Sequence, residues 1–109
     1  MPGKTPQFLY VLKLVPRLLD QQAWTPQDET IVDEHFKALQ KLQAEGPLIL
    51  AGRTLNMDPD GMGLVVFKAG SGDEARAIME SDPAVRQGIM TARLYPYLVA
   101  LISGSNALG

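Results

Sequence analysis

The chain contains no cysteine, which excludes disulfide bonds and thiolate chemistry. It contains one histidine, His35, and a single imidazole without thiolates offers no recognisable metal-ligand spacing. No apolar run is long enough to span a bilayer, and the opening "MPGKTPQ" lacks the apolar core of a signal peptide. Lys and Arg number 10 against 12 Asp and Glu, and the basic residues are scattered. That pattern leaves no footprint for a phosphate backbone. These absences describe a cytoplasmic protein with no cofactor and no metal, and with neither nucleic acid nor a membrane as partner.

What is present is one domain, residues 1–109, with 46% apolar residues and room for a single small core. Residues 1–7 carry two prolines and a glycine and read as flexible, and 103–109 read as a C-terminal tail. "FLYVLKLV" (Phe8 to Val15) reads as a strand ended by Pro16. "PRLLDQQAW" follows as a loop. Thr25 is placed to cap a helix, with Pro26 at its first position and Asp28 and Glu29 at its positive end. That helix should run to about Glu45, where Gly46 and Pro47 stop it. "PLILAGR" (Pro47 to Arg53) and "MGLVVFKA" (Met62 to Ala69) read as a hairpin around the turn residues of "NMDPDG".

A second helix begins after "GSGD", capped by Ser71 or Asp73, and "DPAVRQG" adds one turn with Asp82 as its cap. "MTARLYPYLVALI" (Met90 to Ile102) reads as a long last strand, with Pro96 demanding a bulge or an edge. Strand, helix, strand, strand, helix, strand is the ferredoxin-like βαββαβ order: an α+β subunit, an antiparallel sheet with two helices on one face. The first strand is apolar on both faces, with Phe8, Tyr10, Leu12 and Leu14 on one and Leu9, Val11 and Val15 on the other. Helices can cover only one of them. The other face calls for a second subunit, so a homodimer is expected.

His35 lies on a helical stripe with Ile31, Ala38 and Leu42, in a place where Leu would pack more cheaply. The ordinary role of such a ring is half-buried and bonded to backbone. The alternative is proton transfer, for which histidine is suited near neutral pH, especially beside a carboxylate. Asp82 is a candidate partner and also an obvious helix cap. Asp20 and Asp28 are alternatives. Asp33, two residues away on the same helix, points elsewhere. Arg53 could grip an anionic substrate group, and Tyr10 could line a pocket with Tyr95, although both have plainer readings as strand-end charge and packing. Trp24, just before the helix, suits a hydrophobic staple or a pocket wall.

"EHFKALQKLQAEGPLILAGRT" and "GLVVFKAGSGDEARAIMESDPAVRQGIMTARLYPYLVAL" resemble the YciI-like (YCII-related) family from Phe8 to Leu101. The resemblance implies subunits paired into a dimeric α/β barrel. It also implies an active site with a His–Asp pair, whose matching positions are His35 and Asp82. Some relatives act on muconolactone-type compounds, including a dehydrochlorinase, while most have no assigned reaction. The stretch "PRLLDQQAWTPQDE" is longer than in shorter members and is a candidate cover for the pocket.

Together these readings point to a cofactor-independent enzyme of isomerase or lyase type. Its ligand would be a small carbonyl, lactone or carboxylate compound, with His35 and Asp82 catalytic and Arg53 and Tyr10 at the substrate. The rival reading is a dimeric ligand-binding or accessory protein without turnover.

Overall fold

A computed structural model describes residues 5–104. In chain order the elements are β1 (Gln7–Leu14), α1 (Pro26–Glu45), β2 (Leu48–Arg53), β3 (Gly63–Lys68), α2 (Gly72–Ser81), α3 (Pro83–Arg86) and β4 (Met90–Tyr97). The four strands form one antiparallel sheet in the order β2-β3-β1-β4. This α+β order matches the one read from the sequence, and the "DPAVR" turn is a third short helix. What was expected of residues 1–4 and 105–109 lies outside the described residues. Gln7, expected to be flexible, opens β1 and pairs with Lys68 and Tyr97.

The helix starts follow from their local chemistry. Thr25 Oγ1 accepts the Asp28 N–H at 3.2 Å, and the Asp28 carboxylate accepts the Thr25 N–H at 2.9 Å, a reciprocal capping box. Gly46 ends α1 at φ 110°, a left-handed conformation that glycine adopts without a Cβ penalty. Of the two candidate caps for α2, Ser71 is the one used, accepting the Glu74 N–H at 3.1 Å.

One sheet face is buried under the helices. Phe8, Tyr10, Leu12, Val65 and Phe67 point to it and meet Leu39 and Leu42 of α1, and Ala75 and Met79 of α2. A second apolar cluster, Leu18, Ile31, Ala84 and Ile89, lies beside the first and takes in Trp24. The loop after β1 belongs to this second cluster. It folds into two 3₁₀ turns, Pro16–Leu19 and Gln21–Ala23, and the Trp24 Nε1–H donates to the Leu18 carbonyl at 2.9 Å. Arg17 in the first turn donates two 2.9 Å bonds to the Asp28 carboxylate, tying the loop to the start of α1.

The other sheet face has no helix on it. Register places Leu50, Val66, Leu9 and Tyr95 side by side across all four strands, with Leu64 and Val11 adjacent in the next row. Val66 is buried by its neighbours, while Leu50 and Tyr95 are exposed.

One strand boundary corrects the sequence reading. β4 stops at Tyr97 rather than Ile102, because its partner β1 begins at Gln7, opposite Tyr97, and the ladder has nothing further to pair with. Past that point the Val99 N–H bonds the Gln7 side chain at 2.7 Å instead. Pro96 introduces no register shift. It is accommodated because β4 is an edge strand, and the irregularity in the sheet lies between Leu48 and Leu50 of β2. Among the described residues no helix is long and apolar enough to cross a membrane.

The Arg17–Asp28 link makes stability depend on acid. The Arg17 hydrogen bonds first, and the Thr25 backbone next, hold the Asp28 carboxyl well below the usual carboxylate range. A depressed folded-state pKa stabilises the fold above the unfolded value, about 3.9, and that stabilisation is lost as pH falls below it. Thermal melts should therefore show the melting temperature falling from pH 5 to pH 2. An Asp28→Asn variant should start lower at pH 7 and lose less across that window. Parallel curves for the two proteins would show that the link does not matter.

Candidate active site

Three elements converge on one carboxylate. Asp82 sits between α2 and α3, where its Oδ1 accepts the Ala84 N–H at 3.0 Å and so caps α3. Pro83 at the first helical position suits that geometry. From α1, His35 Nδ1 lies 2.7 Å from Asp82 Oδ1 and 2.9 Å from Oδ2. From β1, the Tyr10 hydroxyl donates to Asp82 Oδ2 at 2.8 Å. The Asp82 side chain is 2% exposed and that of His35 12%. Tyr10 and Ala84 are fully enclosed members of the two neighbouring apolar clusters, so the polar group is seated at the seam between them.

The hydrogen-bond roles follow from what each group can offer. An ionised carboxylate only accepts. The Ala84 N–H can only donate. The Tyr10 proton is held firmly, because burial, reinforced by the Asp82 charge and hydrogen bond, pushes the phenol far above its ordinary range. Nδ1 of His35 must therefore carry a proton toward Asp82, and in the neutral ring Nε2 keeps its lone pair.

Beside this cluster a cleft of about 250 Å³ opens between α1 and α2. The closest backbone approaches of α1 are to α3 and β2, and those of α2 to α3 and β4, so the two helices leave room between them. Buried Tyr10 and Asp82 form its floor. Half-buried Ala38, Leu39, Leu42 and Ile78 form its walls, and exposed Lys41, Glu45 and Ser81 its rim. His35 stands one turn before the Ala38–Leu39 wall and is not itself a lining residue.

The structure thus brings His35, Asp82 and Tyr10 together, and it does not bring Arg53 to them. Arg53 is exposed at the end of β2, the sheet edge separated from β1 by β3, and does not line the cleft. Nor does the loop before α1 cover the cleft. Leu18 and Trp24 are spent on the second apolar cluster. Lys41, Glu45 and Ser81 are polar residues lining the cleft that sequence reasoning did not single out. The same helical wheel that aligned His35 with Ala38 and Leu42 would have placed Lys41 beside them. Among the described residues no group of three His, Cys, Asp or Glu side chains is arranged to hold a metal.

Comparison with known proteins bears on this fold. No curated protein matches the sequence. A dehydrochlorinase acting on 5-chloro-2-hydroxyhydroquinone, from Burkholderia phenoliruptrix AC1100 and solved in complex with 2,5-dihydroxybenzoquinone, matches in structure with a TM-score of 0.60. The two are 20% identical, over 84% of this chain and 93% of that one, and at that identity the likeness speaks for the fold alone. The YCII-related domain matches residues 9–96, which include every strand residue from Leu9 to Pro96 and all of the His35–Asp82–Tyr10 cluster. The chain belongs to the YCII-related family.

Proposed function

We propose that this protein is a small cofactor-independent enzyme of isomerase or lyase type that uses His35 as general acid and base on a small carbonyl, lactone or carboxylate compound. The observation that carries the reading is the 2.7 Å contact between His35 Nδ1 and a buried carboxylate. Asp82 would hold the ring with Nδ1 protonated, leaving Nε2 to take a proton from a carbon next to a carbonyl and to return it to another atom. Tyr10 would contact the ligand at the cleft floor. Lys41, at the rim, would take the part expected of Arg53 and meet negative charge that develops on a ligand oxygen. The dehydrochlorinase with the same fold acts by a lyase-type reaction on a hydroxylated ring, which agrees with this class.

The reading includes a homodimer with the ferredoxin-like subunits joined into a barrel. The row Leu50, Val66, Leu9 and Tyr95, with Leu64 and Val11 beside it, is too apolar to stand in water as a whole face. A second copy laid on it would bury about 1,200 Å² or more in total.

One observation favours a second reading. His35 does not line the cleft, which suits a dimeric small-ligand-binding protein in which the ring serves only to hold Asp82.

A panel of small lactones, enols and hydroxylated ring compounds, assayed for proton exchange or isomerisation, separates the two. His35→Ala should reduce turnover by about 10²-fold or more while the protein stays folded. Asp82→Asn should be milder, since an amide oxygen still accepts from Nδ1. Undiminished turnover in His35→Ala would remove His35 from the chemistry, and ligand binding without turnover in the wild type would favour the second reading. Light scattering at micromolar concentration should give twice the chain mass. A Val66→Lys substitution should give a monomer, and a wild-type monomer would refute the assembly.

A further inference from the structure

We propose that the outer edge of β4 is a docking site for an extended acidic segment of another protein, which adds to the sheet as a further strand. The site is separate from the cleft and independent of the function proposed above.

Register fixes what the backbone of this edge offers. The Val15 N–H bonds to the Ile89 carbonyl at 3.0 Å, which makes those two a hydrogen-bonded pair. Hydrogen-bonded and non-hydrogen-bonded pairs alternate along an antiparallel ladder, so Thr91, Arg93 and Tyr95 spend their backbone groups on β1. Ala92 and Leu94 therefore point N–H and C=O away from the sheet, and among the described residues no strand lies beyond β4. Pro96 falls in the outward set, where its missing N–H costs the β1 ladder nothing. It also ends the run of outward donors.

Two arginines reach the same stretch from opposite sides. A hollow of about 400 Å³ borders it, lined by Arg76, Met79, Ala92, Arg93, Leu94 and Tyr95. Arg76 comes from α2, on the helix-covered side of the sheet. Arg93 stands opposite Val11, on the helix-free side. Among the described residues neither forms an ion pair, and Arg76 leaves Asp73 and Glu80, a turn away on α2, unpaired with it. One charge on an edge strand has a plain use, which is to keep the edges of like copies apart. Arg93 alone would serve that use. A second guanidinium, brought to the same hollow by a different element, adds selection for the opposite charge.

A second copy of the chain does not supply that charge. β1, β2, β3 and β4 contain no Asp or Glu, and the other free edge, β2, ends in Arg53. The homodimer proposed above lays face on face and does not call on this edge. The occupant is therefore a foreign strand that pairs its backbone with Ala92 and Leu94. Side chains of a strand alternate between its two faces. The acid that meets Arg93 and the acid that meets Arg76 must then be adjacent in sequence, with apolar residues beside them for Leu94 and Tyr95.

The test is an amide chemical-shift titration of the full chain with two peptides of one composition, acetyl-Thr-Val-Glu-Glu-Val-Thr-amide and acetyl-Thr-Glu-Val-Glu-Val-Thr-amide. As strands, the first puts its acids on opposite faces and the second puts them on one face. The first should bind about fivefold more tightly, with shifts centred on Ala92, Arg93 and Leu94. N-methylation of both its glutamates, which keeps the charge and removes backbone donors, should weaken it about tenfold. Arg76→Gln and Arg93→Gln should each weaken it severalfold, and together they should make the two peptides indistinguishable. Equal affinities of the two peptides for the wild type, indifference to N-methylation, or shifts centred away from β4 would overturn the proposal. Inorganic phosphate moving the same amides as strongly would reduce the edge to an anion hollow. Edge shifts that grow with protein concentration alone would put a second copy there instead. Either result would also overturn it.

Discussion

A buried carboxylate is costly unless its oxygens are filled, and the helix side of this molecule is arranged around filling those of Asp82. Its three donors come from three separate elements: a backbone N–H of α3, a ring nitrogen of α1 and a hydroxyl of β1. Each would be poorly placed if its element moved by a turn. The carboxylate thereby sets the angle of α3 and the rotation of α1, and it ties both to the middle of the sheet. Every buried side-chain polar atom among the described residues has a partner, so this group adds order without leaving an orphan.

The other buried acid, Asp28, makes an instructive contrast. Both acids serve a helix N-terminus, and both take a nitrogen side chain from a distant position. Asp28 takes Arg17, whose guanidinium stays charged at any pH the fold survives, and binds it with two parallel bonds. That pair can only hold. Asp82 takes His35, an imidazole that spends one ring nitrogen on the carboxylate and keeps a second one besides. The geometries differ in kind: two guanidinium nitrogens meet the two oxygens of Asp28, whereas a single ring nitrogen lies against both oxygens of Asp82. The Arg17 link also explains why the longer loop before α1 is not a cover for the cleft: its arginine is committed to Asp28, and Leu18 and Trp24 to the second cluster.

Local chemistry was legible in the sequence because it is written in neighbouring residues. The Thr25 cap, the Gly46 stop, the Asp82 cap and the two-faced β1 all depend on a few adjacent positions. The site was legible only in pieces. Helical spacing placed His35 on the inner stripe, but its partner 47 residues away was identified by family resemblance, since spacing along the chain left several aspartates open. Tyr10 was noticed as a pocket aromatic, yet its bond to Asp82 spans 72 residues and depends on how β1 lies relative to the α2–α3 junction. Arg53 failed for the same reason in reverse. Its sequence context describes a strand end but says nothing of that strand lying at the far edge of the sheet. The length of β4 was misjudged because the apolar run "LVALI" resembles a strand, whereas a strand lasts only as long as its partner.

The alternation of β1 divides the two demands on this small chain. Phe8, Tyr10 and Leu12 face the helices, and Leu9 and Val11 face away. Successive residues of one strand thus serve the site and the open apolar row, and the sheet itself stands between them. Asp82 is buried among the helices and still borders the gap left between α1 and α2. A broad, flat apolar surface is best kept where no polar group must be accommodated, which is the helix-free face. Leu9 and Tyr10, adjacent in sequence, therefore carry opposite constraints. Leu9 tolerates exchange for another apolar residue of similar volume, because its neighbours in the row, Val66 and Tyr95, ask of it only apolar contact. At Tyr10 even loss of a single oxygen leaves a buried carboxylate lone pair without its donor.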